Sequence, residues 1–307
     1  MPKKLGTIQL DLDGDWVLFD YFGKKVVNSE HDPAFVSGIP RYLDLLDSFN
    51  IKATFFIVGQ DLKIPSKRKL IQEIHIRGHE IANHSLNHRC GFGQLSKEEK
   101  RKEILESHQL IEETVGKSPV GFRAPGYDFD EEVLDTLEEL GYQYDSSLLA
   151  TYWGGLFRTL DRFVKRESIS PTQYARFFYG RAPLTLYHPD RGAVWRKGER
   201  PLMELPMSTI PFFRLPFHGT FALKGGIGYF KLGFSLFERF GGTMNYIFHA
   251  LEFADPAPQI HLPYTIANHL PWEKKGPFYR TILSCLTESY QIMPTRELIH
   301  SICHSAE

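Results

Sequence analysis

Short apolar runs alternate with amphipathic stretches through the first half of this chain, and that rhythm restricts the fold more than any other property. TIQLDLD at 7–13 reads as a strand, and IPRYLDLLDSFN at 39–50 puts Tyr42, Leu45, Leu46 and Phe49 on one helical face. KATFFIVG at 52–59 is a continuous apolar run ended by glycine, as a buried parallel strand would be. SKRKLIQEIHIRG at 66–78 is a helix stopped by Gly78, and HEIANHS at 79–85 a strand. Ser96 and Glu99 form a capping box before a helix that runs to Val115 and closes at Gly116. PVGFRAP (119–125), DEEVLDTLEELG (130–141) and YQYDSSL (142–148) continue as strand, helix and strand. The rhythm returns with strands at 202–210 and 243–253, helices at 225–242 and 278–290, a short QIMP strand and a closing TRELIHSIC helix. The expected fold is α/β: a distorted (β/α) barrel of about seven parallel strands. A length of 307 residues fits one such barrel as a single domain over 1–307.

Residues 149–202 break the rhythm. YWGGLFRTLDRF, SPTQYARFFYGRAP and YHPDRGAVWRKGERP interleave aromatic and basic residues with Gly and Pro. This reads as one long insertion after the fifth strand, either a lid-like binding segment or a structural flap across one end of the barrel.

The chain's net charge of −1 shows no basic footprint for nucleic acid. Cys90, Cys285 and Cys303 are too few and too odd in number for a disulfide framework. No apolar run reaches the roughly 18 residues of a transmembrane helix, and MPKKLGTIQLDLD lacks a signal-peptide apolar region. The expectation is a cytoplasmic protein, with peripheral contact at the inner membrane face through the insertion.

Chemistry concentrates at IQLDLDGDW, residues 8–16. Asp11, Asp13 and Asp15 alternate at a strand end, so their carboxylates share a face and repel unless a cation or proton intervenes. A calcium loop counted from Asp11 would need Gly and Glu where Trp16 and Phe22 stand. His84 and His88 in HSLNH are four apart, and two neutral imidazoles with a carboxylate make a transition-metal ligand set. The bland reading of that pair is a strand cap and a surface histidine. Asp15 reads as a loop residue, Cys90 as a buried apolar thiol, and His218 receives no role.

Two families share the opening motif. DLDG resembles the first strand of the haloacid-dehalogenase phosphatases, but Asp15 replaces their threonine and no later acidic pair follows. LDLD at 10–13, HSLNH at 84–88, RAPG at 123–126 and IFHALE at 247–252 together resemble the polysaccharide deacetylases, the NodB-homology group of carbohydrate esterase family four. All four fall at expected carboxyl ends of strands, where (β/α) barrels build their sites. Leu12 separates two acids that this family usually has adjacent, and Ala-Pro-Gly-Tyr at 124–127 replaces Pro-Pro-Tyr.

The resemblance implies metal-dependent hydrolysis of an N-acyl group. Asp13, His84 and His88 would hold one divalent ion, zinc first, with cobalt or nickel as alternatives. Asp11 would act as general base, paired with Arg123, and His249 would protonate the departing amine. Asp145 is the candidate carboxylate to keep that imidazole cationic. Gly126 and Tyr127 would meet the substrate. The implied partner is an N-acylated amino sugar in a glycan, a nucleotide sugar or a lipid-linked sugar. Deformylation of a lipid-linked amino sugar and cyclic-amide hydrolysis are variants of the same site. A non-catalytic sugar-binding relative is the alternative of a different class.

Overall fold

A computed structural model describes residues 3–21, 23, 27–165, 176–256 and 270–304, the side chains of 161–165 excepted. Part of the expected insertion, residues 166–175, therefore lies outside the described residues. Among the described residues there are eight strands: β1 (Lys4–Leu12), β2 (Thr54–Ile57), β3 (Glu80–Asn83), β4 (Gly121–Phe122), β5 (Tyr144–Asp145), β6 (Met203–Glu204), β7 (Met244–His249) and β8 (Tyr290–Ile292). Every pairing between these strands is parallel, in the order β6-β5-β4-β3-β2-β1-β7, with β8 on the start of β1. The sheet curls into a half-barrel. Its two ends meet through Ser208, whose N–H donates to Asn245 O (3.2 Å) and whose Oγ accepts from Asn245 N–H (3.0 Å).

The helices are α1 (Asp15–Tyr21), α2 (Ile39–Ser48), α3 (Pro65–Ile76), α4 (Lys97–Val115), α5 (Glu131–Glu139), α6 (Gly154–Lys165), α7 (Gly219–Phe240), α8 (Trp272–Ser289) and α9 (Thr295–His304). The expected capping box forms at Ser96 and Glu99, and Gly116 ends α4 in the left-handed region at φ 70°.

β1 shows how the sequence divides the barrel into two chemistries. Alternate side chains point to opposite faces of a strand. Ile8, Leu10 and Leu12 join the main core with Tyr42 and Leu46 of α2, Ile71 and Ile74 of α3, and Ile282 of α8. Each such fully buried side chain contributes about 1.5–3 kcal/mol. Thr7, Gln9 and Asp11 line the other face, equally buried. There Gln9 Nε2 donates to Thr295 Oγ1 (2.9 Å), Thr54 Oγ1 to Glu80 Oε2 (2.8 Å) and Tyr144 OH to Glu80 Oε1 (3.1 Å). A buried polar interior is tolerable because its members satisfy one another.

Three expectations are corrected. α7 begins at Gly219 rather than 225 and is interrupted at Gly226, whose φ is 73°. β4 to β6 are only two residues long, and Pro125 follows β4 with no N–H to extend the ladder. β7 ends at His249, where Ala250–Glu252 turns into a 3-10 helix instead of continuing as strand. Within 149–202, Tyr179, Ala182 and Val194 are buried with Phe122 and Leu134, and Tyr187 pairs antiparallel with Glu204, so this part is built onto the sheet edge.

Candidate active site

Parallel pairing sets Asp11 beside Phe56 of β2 and His249 of β7 at the carboxyl end of the sheet. Arg123, just past β4, lies wholly buried across the barrel interior. Its Nη1 donates to Asp11 Oδ1 and its Nη2 to Gln9 Oε1. Nε reaches Ser146 O (2.8 Å), Nη2 also reaches Ser146 Oγ (3.0 Å), and the guanidinium carbon sits 4.2 Å from the Phe56 ring centroid. Burial pushes the Asp11 carboxyl up, but the charges of Arg123 and His249 beside it outweigh that and hold the group below its ordinary value.

Asp13 follows β1 directly, and HSLNH forms the turn after β3. Ser85 and His88 both adopt left-handed backbone, φ 65° and 47°. That conformation is costly for non-glycine residues and is kept where the surroundings over-determine it. Here Ser85 N–H donates to Asn83 Oδ1 (2.9 Å), and His88 N–H to Ser85 Oγ (3.1 Å). The turn brings His84 Nε2 and His88 Nε2 to 3.5 and 3.6 Å from Asp13 Oδ1. Asp13 Oδ1 is buried and accepts no hydrogen bond.

These three residues fit a metal ion. Two ligand atoms at about 2.0–2.2 Å from a tetrahedral ion stand about 3.3–3.6 Å apart. His84 Nδ1 lies 2.7 Å from Arg123 O, and a carbonyl can only accept, so Nδ1 carries the proton and Nε2 presents its lone pair. Burial lowers both imidazoles, His88 to about 4, which keeps them neutral as ligands must be. Asp13, His84 and His88 are the group of potential ligands found among the described residues. Cys90 does not join them and, contrary to expectation, is exposed.

His249 faces this cluster. Its Nε2 lies 3.7 Å from Asp11 Oδ2 and 3.3 Å from Tyr127 OH. Its Nδ1 lies 3.3 Å from Glu252 Oε1, which also accepts from Thr220 Oγ1 (2.6 Å). Burial works against the cation, yet Glu252 and Asp11 prevail and raise His249 to about 9. Gly219 allows this approach, because a Cβ there would meet Glu252 Oε2 at 2.2 Å. Gly126 and Tyr127 both take left-handed backbone, φ 60° and 58°, which turns the Tyr127 hydroxyl toward His249.

Asp145 is not the partner of His249. Its carboxylate accepts from Ser147 Oγ (2.6 Å) and Ser147 N–H (3.3 Å), and it lies beside Glu204, whose carboxyl burial and Asp145 push well above the ordinary range. The carboxylate on His249 is Glu252, three residues along the chain. The motif IFHALE contains both, but a strand reading to residue 253 would have pointed them apart. Gln9 and Ser146 also escaped the sequence reading, because nothing local marks a neutral side chain that will pair with an arginine. His218 lies near His249, with ring centroids 6.0 Å apart, and burial pushes it down to about 3.

Residues 20–144 match the model of the polysaccharide deacetylase family. The matched segment includes HSLNH and RAPG; Asp11, Asp13 and His249 lie outside it. A peptidoglycan-N-acetylglucosamine deacetylase of Bacillus cereus is 35% identical over 112 residues, covering 36% of this chain and 49% of that protein. A peptidoglycan deacetylase-like protein of Gibberella zeae is 37% identical over 151 residues, covering 48% and 44%. The matches thus span about half the length of these curated relatives. A solved structure from Mycobacterium smegmatis, described as a candidate polysaccharide deacetylase, superposes over 99% of this chain and 92% of its own at TM-score 0.63 and 19% identity. That likeness supports the fold.

Proposed function

We propose that this protein removes the N-acetyl group of an amino sugar by hydrolysis, using one divalent ion held by Asp13, His84 and His88. The observation that carries this is Asp13 Oδ1, buried without a hydrogen bond and facing the Nε2 atoms of two imidazoles at ligand spacing. The names of the curated relatives supply the acetyl amino sugar as the substrate class. When bound, an ion of the zinc type lowers the pKa of water and polarises an acyl oxygen.

The remaining work belongs to the chain. Asp11, kept ionised by Arg123, accepts the proton of the attacking water. His249, cationic at neutral pH, gives its proton to the amide nitrogen as the carbon–nitrogen bond breaks, so the products are a carboxylic acid and a free amine. Glu252 orients that imidazole, and Tyr127 covers the proton-donating nitrogen.

Zinc-loaded protein should release acetate from soluble N-acetylated chitooligosaccharides or peptidoglycan fragments, with an equal gain of free amine. Stoichiometric metal with no acyl release from any N-acetyl sugar would instead favour a non-catalytic binding protein.

A further inference from the structure

Beside the site runs a surface whose character hydrolysis does not require. Among the described residues fourteen large hydrophobic side chains are exposed, and eleven of them lie between Tyr152 and Phe240. Contacts link several of them. Trp153 Nε1 donates to Phe213 O (2.8 Å), Phe212 packs edge-on against Phe240 (centroids 5.1 Å apart), and Phe157 packs on Phe221 (5.5 Å). Phe221 also touches His218, the neighbour of His249, so this face begins at the rim of the site.

Two features separate it from incidental exposure. The tip at 211–214 holds Phe212 and Phe213 70% and 59% exposed, on a turn where Phe212 and Arg214 both have left-handed backbone, φ 68° and 53°. Neither is glycine, so the fold sustains strain there while leaving two phenyl rings in water. On α6, Leu156 and Leu160 are one turn apart and both exposed.

The second feature is charge. Residues 151–240 contain fourteen lysines and arginines but six aspartates and glutamates, in a chain whose totals are 36 and 37. The near-neutral whole therefore hides a segment of net charge +8 against a remainder of −9. Exposed aromatics among basic residues are the combination that binds the interface of an anionic bilayer, the rings entering the headgroup region and the cations meeting its phosphates.

We infer that this face docks the protein on an anionic lipid bilayer. Resting on the deacetylase reading, the same geometry presents the site to an amino sugar carried on a lipid at that surface. The test is co-sedimentation of the full chain with phosphatidylglycerol-containing vesicles and with pure phosphatidylcholine vesicles. The expected result is sedimentation with the anionic vesicles, at least tenfold weaker on neutral ones. The Phe212→Ser/Phe213→Ser double variant, with an unchanged thermal unfolding midpoint, should lose at least tenfold in the anionic binding. Leu156→Ser/Leu160→Ser serves as a second variant should the first misfold. Equal binding to both vesicle types, no binding to either, or full binding by the folded variants would overturn the inference. So would pelleting without vesicles that the variants abolish, which would mark the face as a contact between copies of the chain. Acetate release from soluble oligosaccharides is measured separately, so loss of the docking inference leaves the hydrolase reading standing, and the reverse.

Discussion

His249 and Glu252 form a pair three residues apart, Nδ1 to Oε1 at 3.3 Å, because the chain turns into a 3-10 helix immediately after β7. This pair gives the site a cation that survives burial. His249 is raised from 6.5 to about 9, so it donates protons at neutral pH and loses that ability as pH climbs through 9. Glu252→Gln removes the charge and keeps the shape. The expected outcome is a fall in kcat of about 10–100-fold, with the alkaline limb of the pH–rate profile moving down by a unit or more. An alkaline limb left in place would show that Glu252 does not set the proton affinity of His249.

Asp13→Ala, His84→Ala and His88→Ala should each bring bound metal from about one ion per chain to background, and activity with it, since a site of three protein ligands tolerates little loss. Metal analysis of dialysed protein reads this directly. Retention of stoichiometric metal in His88→Ala would move the site elsewhere.

Asp11→Asn separates base from ligand. It should keep the metal and lose about 10²–10⁴-fold in turnover, the range that general-base catalysis supplies. Full turnover in this variant would remove Asp11 from the mechanism.

Arg123→Met is a stability prediction. It strands the buried Asp11 charge and should cost about 3–5 kcal/mol in urea unfolding. Asp11→Asn/Arg123→Met should recover part of that loss, because the orphaned charge goes with its partner. Strictly additive losses would show that the two residues do not couple.

Acid should weaken the metal-free protein through its buried neutral histidines. Burial lowers His79 to about 4 and His218 to about 3, against 6.5 for an ordinary imidazole. Their contribution is complete above pH 6.5. Below it the unfolded chain binds protons that the folded chain refuses. Stability then falls by about 1.4 kcal/mol per pH unit for each group. The decline continues to about pH 4 for His79 and about pH 3 for His218. Urea midpoints that stay level from pH 7 to 5 would contradict this.

The parallel half-barrel was legible because its signals are local. Alternation in TIQLDLD assigns Ile8, Leu10 and Leu12 to the helices and Thr7, Gln9 and Asp11 to the interior whatever the rest of the chain does. The grouping of Asp13 with HSLNH was readable only through the resemblance carried by LDLD, HSLNH, RAPG and IFHALE, since Asp13 and His84 lie 71 residues apart and spacing alone does not join them. The choice of Glu252 over Asp145 was not readable. It turns on where β7 ends, and a strand's end depends on the neighbour it pairs with as much as on its own residues. The aromatic and basic character of residues 149–202 was readable too, but only the folded surface shows which of the rings stay in water.

By itself, then, the sequence determined the βα order, the polar face of β1 and the motifs that hold Asp13, His84 and His88. Periodicity and motif spacing act over a few residues. The tertiary structure alone decided which acid meets His249, which neutral groups satisfy Arg123, and which aromatic side chains stay in water. Those outcomes join residues far apart in the chain or depend on a turn of backbone, and each is settled by the competition of every buried group for a partner.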